Sequence, residues 1–210
     1  MRPVVFDCDG VLVDSEELAW SAWRRVLARH DITLTAEDIA LLTGRTDTDA
    51  HRHFSSRGEV PDHEGFWEEL SEVTYRLFDQ HLQAFEDAAD TLDALHVRGA
   101  RMAVASSSPR ERLQRSLSAT GLSGYFDFVV GGDEVEAGKP APDLFLAAAA
   151  GLAVAPETCF AVEDAPTGVA AALAAGMTVV AVERGQFSRD DLRAAHLVVP
   201  RLTPAPFLGS

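Results

Sequence analysis

Lysine is almost missing from this chain. Of 18 basic residues in 210, Lys139 is the only lysine and the others are arginine. Cysteine is as scarce, with only Cys8 and Cys159, each in an apolar, strand-like run. Two such cysteines fit a reducing compartment better than a disulfide framework, so the cytoplasm is the expected location. Positive charge is short overall, since 33 acidic residues leave a formal net charge of −15. Proteins that grip a nucleic-acid backbone carry a basic patch, so no nucleic-acid partner is expected. No stretch reaches the roughly 18 consecutive apolar residues of a membrane span, and no membrane partner is expected either. Met1-Arg2-Pro3 runs straight into a strand-like segment, which leaves no expected signal peptide.

What is present is an ordinary globular complement, 47% hydrophobic, enough for a sizeable core. The length suits one core domain with an insert. Residues 16–82 read as helical. Leu18, Ala22 and Val26 with Trp23 and Leu27 form one apolar stripe, and Phe66, Leu70, Val73 and Leu77 form another. Between them, Ile39 to Phe54 reads as one or two short helices broken at Gly44. Trp20, Trp23 and Trp67 read as core of this region. His51 and His53, at i, i+2, fall on different helix faces and read as solvated surface rather than a metal pair.

From about residue 84 helices alternate with short apolar strands at 102–105, 126–130, 159–162 and 178–182, with a last run at 197–199. This alternation predicts a parallel sheet covered on both faces. A first strand at residues 3–8 is separated from it by the helical stretch. The expected organisation is an α/β, Rossmann-like core formed by residues 1–14 and 84–210, with an α-helical domain at 15–83 inserted into it.

The first strand ends in Asp7-Cys8-Asp9-Gly10. Acids at i, i+2 on a strand project to one side, and two carboxylates emerging together can divide nucleophilic attack and proton transfer between them. A D-x-D-G quartet also opens calcium loops, but those need further oxygen ligands over about a dozen residues. Here the apolar run Val11-Leu12-Val13 follows. Asp14 and Ser15 fall at the expected hinge, where they read as a cap for the first inserted helix.

Other strand ends carry further polar residues, where parallel sheets place their sites. Ser106-Ser107-Ser108-Pro109 offers hydroxyls and backbone N–H groups at a helix start, an anion cradle that also reads as a plain N-cap. Ser106, Ser107 and Lys139 are the candidate phosphate contacts. Lys139 lies in the turn Gly138-Lys139-Pro140, where an ammonium fits one oxygen of a transferring group better than the wide arginine fork does. As the only lysine, it is the expected target of an amine-directed reagent. Glu163-Asp164 closes another strand. Beside Asp7 and Asp9 these acids would repel one another unless a divalent cation joined them, and an all-oxygen set favours Mg²⁺.

The ordered set D-x-D-G, serine after a strand, G-K-P-x-P-D and E-D-x-x-x-G resembles the haloacid dehalogenase (HAD) superfamily over essentially the whole chain. It is most similar to the beta-phosphoglucomutase-like and small sugar-phosphate phosphatase branch, with a helical cap inserted after the first motif. The resemblance implies Asp7 as nucleophile, forming an aspartyl phosphate, and Asp9 as general acid and then base. It implies Ser106 and Lys139 as phosphoryl ligands. Mg²⁺ would be held by the Asp7 side chain, the Asp9 backbone carbonyl and Asp164, with Glu163 either a ligand or the neighbour of one.

Within the superfamily, Asp9 argues against the dehalogenases, and a cap without lysine excludes the phosphonate-cleaving members. The mutases' cap histidine falls on Ala19 here and their cap arginine on Asp47. Gly44 and Arg45 are the candidate substrate contacts from the cap. The reading is a Mg²⁺-dependent phosphatase of small phosphorylated metabolites, expected as a monomer or weak dimer. A sugar phosphomutase and a catalytically silent phosphometabolite-binding module are the alternatives.

Overall fold

The computed structural model describes residues 1–42, 47–185 and 187–208. The chain forms two compact units, Met1–Ser15 with Leu82–Ser210, and Glu16–His81.

The larger unit is built on a six-stranded, wholly parallel sheet. Its strands are β1 (Val4–Phe6), β2 (Met102–Ala105), β3 (Phe128–Val130), β4 (Phe160–Glu163), β5 (Thr178–Val182) and β6 (Leu197–Val199), in the spatial order β3-β2-β1-β4-β5-β6. Val4, Val5 and Phe6 are fully buried, as a central strand covered on both faces requires. Phe6 pairs with Val104 on one side and Val162 on the other. The next residue, Asp7, therefore comes level with Glu163, and its N–H donates to Val162 O at 2.9 Å.

The first strand is shorter than the sequence predicts. It stops at Phe6 because the Cys8 carbonyl accepts N–H bonds from Val11, Leu12 and Val13, curling the chain into a tight turn. Gly10 occupies that turn at φ 78°, where a side chain would be strained. A Cβ there would also meet Asp164 Oδ2 at 2.0 Å, so only glycine lets the turn lie against Asp164.

Helices α5 (Glu86–His96), α6 (Arg110–Ala119), α7 (Asp143–Gly151) and α8 (Pro166–Ala174) link the strands. The alanine-rich α7 and α8 bury Ala148, Ala149, Ala171 and Ala172 in one core with Val5, Ala103, Ala161 and Val179. Small side chains allow close helix–sheet approach there. Cys8 and Cys159 are both buried free thiols.

The helical unit holds α1 (Glu16–Arg29), α2 (Ala36–Leu42), α3 (Asp47–Ser55) and α4 (His63–His81). Its core takes Ala22, Val26, Leu27, Phe66, Leu70, Val73 and Leu77 from the two stripes visible in the sequence and adds Ile32, Leu42, Ala50 and Phe54. Trp23 packs on Phe54, Phe66 and Trp67 at ring separations of 5.4–5.5 Å. Gly44 and Arg45 lie outside the described residues.

A buried carboxylate, Asp38, organises the ends of α2 and α3 within this unit. It accepts from Thr35 N and Oγ1 at 2.9 Å, from Arg57 at 2.6 Å, and faces His53 Nε2 at 2.7 Å. Burial works to raise the Asp38 pKa, but these hydrogen bonds outweigh it and hold the group well below its ordinary range. His51 meets Pro61 O at 2.9 Å. The two histidines are thus partnered and half-buried rather than solvated, since Asp38 and the Pro61 carbonyl are distant in sequence.

Candidate active site

The acids and the lysine converge where β1 and β4 end. Lys139 Nζ stands 2.5 Å from Asp7 Oδ1 and 2.6 Å from Glu163 Oε1, with all three side chains buried. The turn that delivers Lys139 contains a cis Lys139–Pro140 bond. Carboxylate oxygens of Asp7, Glu163 and Asp164 lie within 4.8 Å of one another. Glu163 is fully committed, because its second oxygen accepts the N–H groups of Asp164 (3.0 Å) and Ala165 (3.2 Å). Its fit depends on Gly168 at the start of α8, where a Cβ would come within 1.8 Å of Glu163 Oε1.

Asp9 is held differently, away from the lysine. Ser15 Oγ donates to its Oδ1 at 2.5 Å, Ser108 Oγ donates to its Oδ2 at 2.9 Å, and Arg112 stands 3.8 Å off. The flanking Cys8 thiol is 1% exposed, and burial, then the charges of Asp9 and Asp7, push it well above its usual range. It is a packing residue beside the site.

The electrostatics separate the acids. Burial pushes Asp7 up to about 7, with Glu163 and Asp9 adding to the rise and Lys139 opposing it. Burial drives Asp164 up to about 9, reinforced by Asp7 and Glu163. Burial also acts on Asp9, but the Arg112 guanidinium and the hydroxyl bonds from Ser15 and Ser108 outweigh it and keep Asp9 below the ordinary carboxylate range. Asp9 therefore stays ionised where its neighbours resist ionisation. Groups whose environments drive their pKa values apart are the usual mark of divided acid–base and nucleophilic duties.

The donor set also fits a cation. Two carboxylates about 4 Å apart repel by about 4 kcal/mol in a partly screened site. Lys139 can neutralise only one charge among Asp7, Glu163 and Asp164, and without a further cation Asp7 and Asp164 resist ionisation together. With Glu163 engaged, Asp7 and Asp164 are the oxygens free to receive a hard ion. Among the described residues this is the one acidic group that could hold a metal.

Residues 4–182 match the family model of haloacid dehalogenase-like hydrolases. The chain belongs to that family. A phosphorylated carbohydrates phosphatase of Thermotoga maritima is 32% identical over 178 residues, covering 84% of this chain and 82% of that protein. Hexitol phosphatase A of Escherichia coli is 34% identical over 181 residues, 85% of this chain and 81% of its own. The crystal structure of a beta-phosphoglucomutase from Clostridium difficile superposes with a TM-score of 0.80 at 25% identity, covering 98% and 92% of the two chains.

For a haloacid dehalogenase-like hydrolase, the arrangement departs from the residue-by-residue reading in detail. Asp7, Lys139, Glu163 and Asp164 gather as one cluster. Ser106 is buried and its Oγ accepts the Ser108 N–H at 3.1 Å. Its neighbour Ser107 is exposed. Helix α6 begins after Pro109 with no side-chain cap, so the serine triplet is no ordinary N-cap. The Asp9 partners were not legible: Ser15 reads as a helix cap, and nothing marks Ser108 or Arg112 as neighbours of a carboxylate so distant in sequence.

Proposed function

We propose that this enzyme is a phosphatase of small phosphorylated metabolites, sugar or polyol phosphates, working through an aspartyl phosphate on Asp7. The observation that carries the reading is the ion pair of Lys139 with Asp7 beside an Asp9 kept ionised by its own partners. Asp7 Oδ attacks phosphorus and the ester P–O bond breaks. The leaving oxygen takes a proton from Asp9, which must first acquire one as substrate displaces the Ser15 and Ser108 hydroxyls. Water, deprotonated by Asp9, then attacks the same phosphorus and frees inorganic phosphate and Asp7. Lys139, with Ser106 and Ser107 at the neighbouring strand end, would neutralise and orient the phosphoryl oxygens.

Mg²⁺ is the ion proposed for this site, received by Asp7, Asp164 and the Asp9 carbonyl, with Glu163 holding Lys139 rather than the metal. When bound it supplies charge neutralisation on the phosphoryl group and removes the repulsion between Asp7 and Asp164. We assign catalysis to the core, residues 1–14 and 84–210, and substrate choice to the helical cap, residues 15–83. Buried thiols at Cys8 and Cys159 support a cytoplasmic setting.

The phosphatase names of the sequence relatives favour hydrolysis, while the likeness to a beta-phosphoglucomutase gives the second reading. Screening phosphorylated metabolites for release of inorganic phosphate tests the first. Phosphorus NMR with beta-glucose 1-phosphate separates the two. Free phosphate supports the phosphatase, and accumulation of glucose 6-phosphate without it establishes the mutase.

A further inference from the structure

The turn that carries Asp9 is bonded to itself through the Cys8 carbonyl, but its own outward carbonyl at Val11 needs a donor from elsewhere. Arg184, just beyond β5, supplies it. Its Nη1 donates to Val11 O at 2.9 Å and its Nη2 to Asp87 Oδ1. The guanidinium carbon lies 3.9 Å from the centre of the Phe85 ring. Asp87 is fixed in turn, because its Oδ2 accepts the Leu202 N–H at 2.8 Å. Arg184 and Asp87 are only 10% and 13% exposed.

These partners belong to the two segments by which the chain leaves and re-enters the core. Val13 bridges Ala84 in antiparallel fashion, Phe85 N donates to Leu12 O at 3.0 Å, and Asp14 N donates to Gln83 O at 3.0 Å. One guanidinium thus touches the outgoing segment by hydrogen bond, the returning segment by ring stacking, and the first turn of α5 by ion pair. A lysine could not make these contacts together, since an ammonium has no planar face and no fork.

We propose that Arg184 is a positioning residue, a clamp that sets the Asp9 turn by locking the paired segments Val11–Asp14 and Gln83–Asp87 to the carboxyl end of β5. It acts through Val11 and touches neither substrate nor the reacting atoms. The structural part stands on its own geometry, and only its kinetic consequence rests on the phosphatase reading.

Removing Arg184 alone would strand Asp87 as a buried, unpaired charge and endanger the fold. The test is therefore the double variant Arg184→Met/Asp87→Asn, which leaves no unpaired charge and keeps an acceptor for Leu202 N–H. Hydrogen exchange is followed by mass spectrometry, and turnover by phosphate release from p-nitrophenyl phosphate. We expect amides of Gly10–Asp14 to exchange about tenfold faster while those of β2 and β4 are unchanged, the mark of a local opening. We expect kcat to fall by about tenfold with KM little altered, as when a transition-state contact is mispositioned. Arg184→Lys should recover little of either effect. Unchanged exchange in Gly10–Asp14 overturns the clamp, and so does acceleration shared equally with β2 and β4. If the unaltered enzyme turned over no phosphomonoester while the exchange result held, the functional reading would fail and the clamp would stand.

Discussion

Lys139 and Asp7 form a buried ion pair, Nζ to Oδ1 at 2.5 Å, and Glu163 grips the same ammonium at 2.6 Å. Burial alone would lower the lysine pKa, but the two carboxylates outweigh it and raise it above the usual value. Lys139 is therefore charged at every working pH and shielded from solvent. This reverses the expectation drawn from its being the only lysine, because acylation needs an accessible, neutral amine. In the native protein an amine-directed reagent should modify the Met1 α-amino group, whose residue is 55% exposed, and spare Lys139. Both should react after unfolding. Peptide mass mapping checks this, and rapid native acylation of Lys139 would contradict the buried pair.

The division of labour between the first two acids predicts unequal variants. Asp7→Asn should abolish turnover, since an amide does not attack phosphorus. Asp9→Asn should slow it by roughly a hundred- to ten-thousand-fold, the usual contribution of general acid–base catalysis. Normal phosphate release from Asp7→Asn would remove it as nucleophile.

The Asp7–Asp164 cluster predicts a metal effect visible without any substrate. Ligand that binds only the folded state raises the unfolding temperature by mass action, so Mg²⁺ should stabilise the unaltered enzyme in a thermal melt. Asp164→Asn should melt higher than it in chelator, because the cost of burying that carboxyl beside Asp7 and Glu163 is removed, and should gain little from Mg²⁺. Activity should vanish in chelator and return with Mg²⁺. Ca²⁺ should replace it poorly because of its larger, looser oxygen shell. Full activity in chelator would make the cluster purely structural.

Asp38 predicts an acid weakness in the helical unit. Its folded pKa is held below the ordinary 3.8, so the unfolded state binds the proton more readily. The stabilisation is fully present above about pH 4 and is lost as pH falls toward the folded value. Asp38→Asn should cost about 1–3 kcal/mol at neutral pH, as expected for breaking a buried hydrogen-bond network, and should flatten the acid dependence. Thermal melts from pH 3 to 7, reported by the Trp23–Trp67 cluster through its fluorescence, would show it. Equal pH slopes for the two proteins would exclude Asp38 as the cause.

The legible part of the molecule is what short-range pattern encodes. Helix stripes such as Phe66-Leu70-Val73-Leu77 and strand ends such as Glu163-Asp164 announce themselves locally. The acids of the candidate site were legible because each lies at the end of an apolar strand, and parallel strands bring their ends together, while Lys139 was legible as the only lysine, set in a Gly-Lys-Pro turn. Asp38's partnership with His53 and Arg57 was not, nor were the Ser108–Asp9 and Arg184–Val11 contacts. Serine, arginine and histidine are common surface residues, and only tertiary distance turns these particular ones into neighbours. The early end of β1 was hidden for a related reason, since Cys8 has a strand-like side chain while its carbonyl is recruited to a turn.

The pairing of β1 imposes an order of assembly during synthesis. Val4 aligns with Met102 and Phe160 and with no residue nearer in the chain. The apolar segment Val4-Val5-Phe6 leaves the ribosome well before its partners, so it has no strand to join until residues 102–105 emerge, and only one neighbour until residues 160–163 follow. Throughout that interval it is an unsatisfied strand edge, the kind of surface that nascent chains must keep from aggregating. The reactive acids share this delay. Asp7 and Asp9 are translated long before Lys139, Glu163 and Asp164, which shift their electrostatics, so the candidate site cannot assemble until residue 164 has emerged.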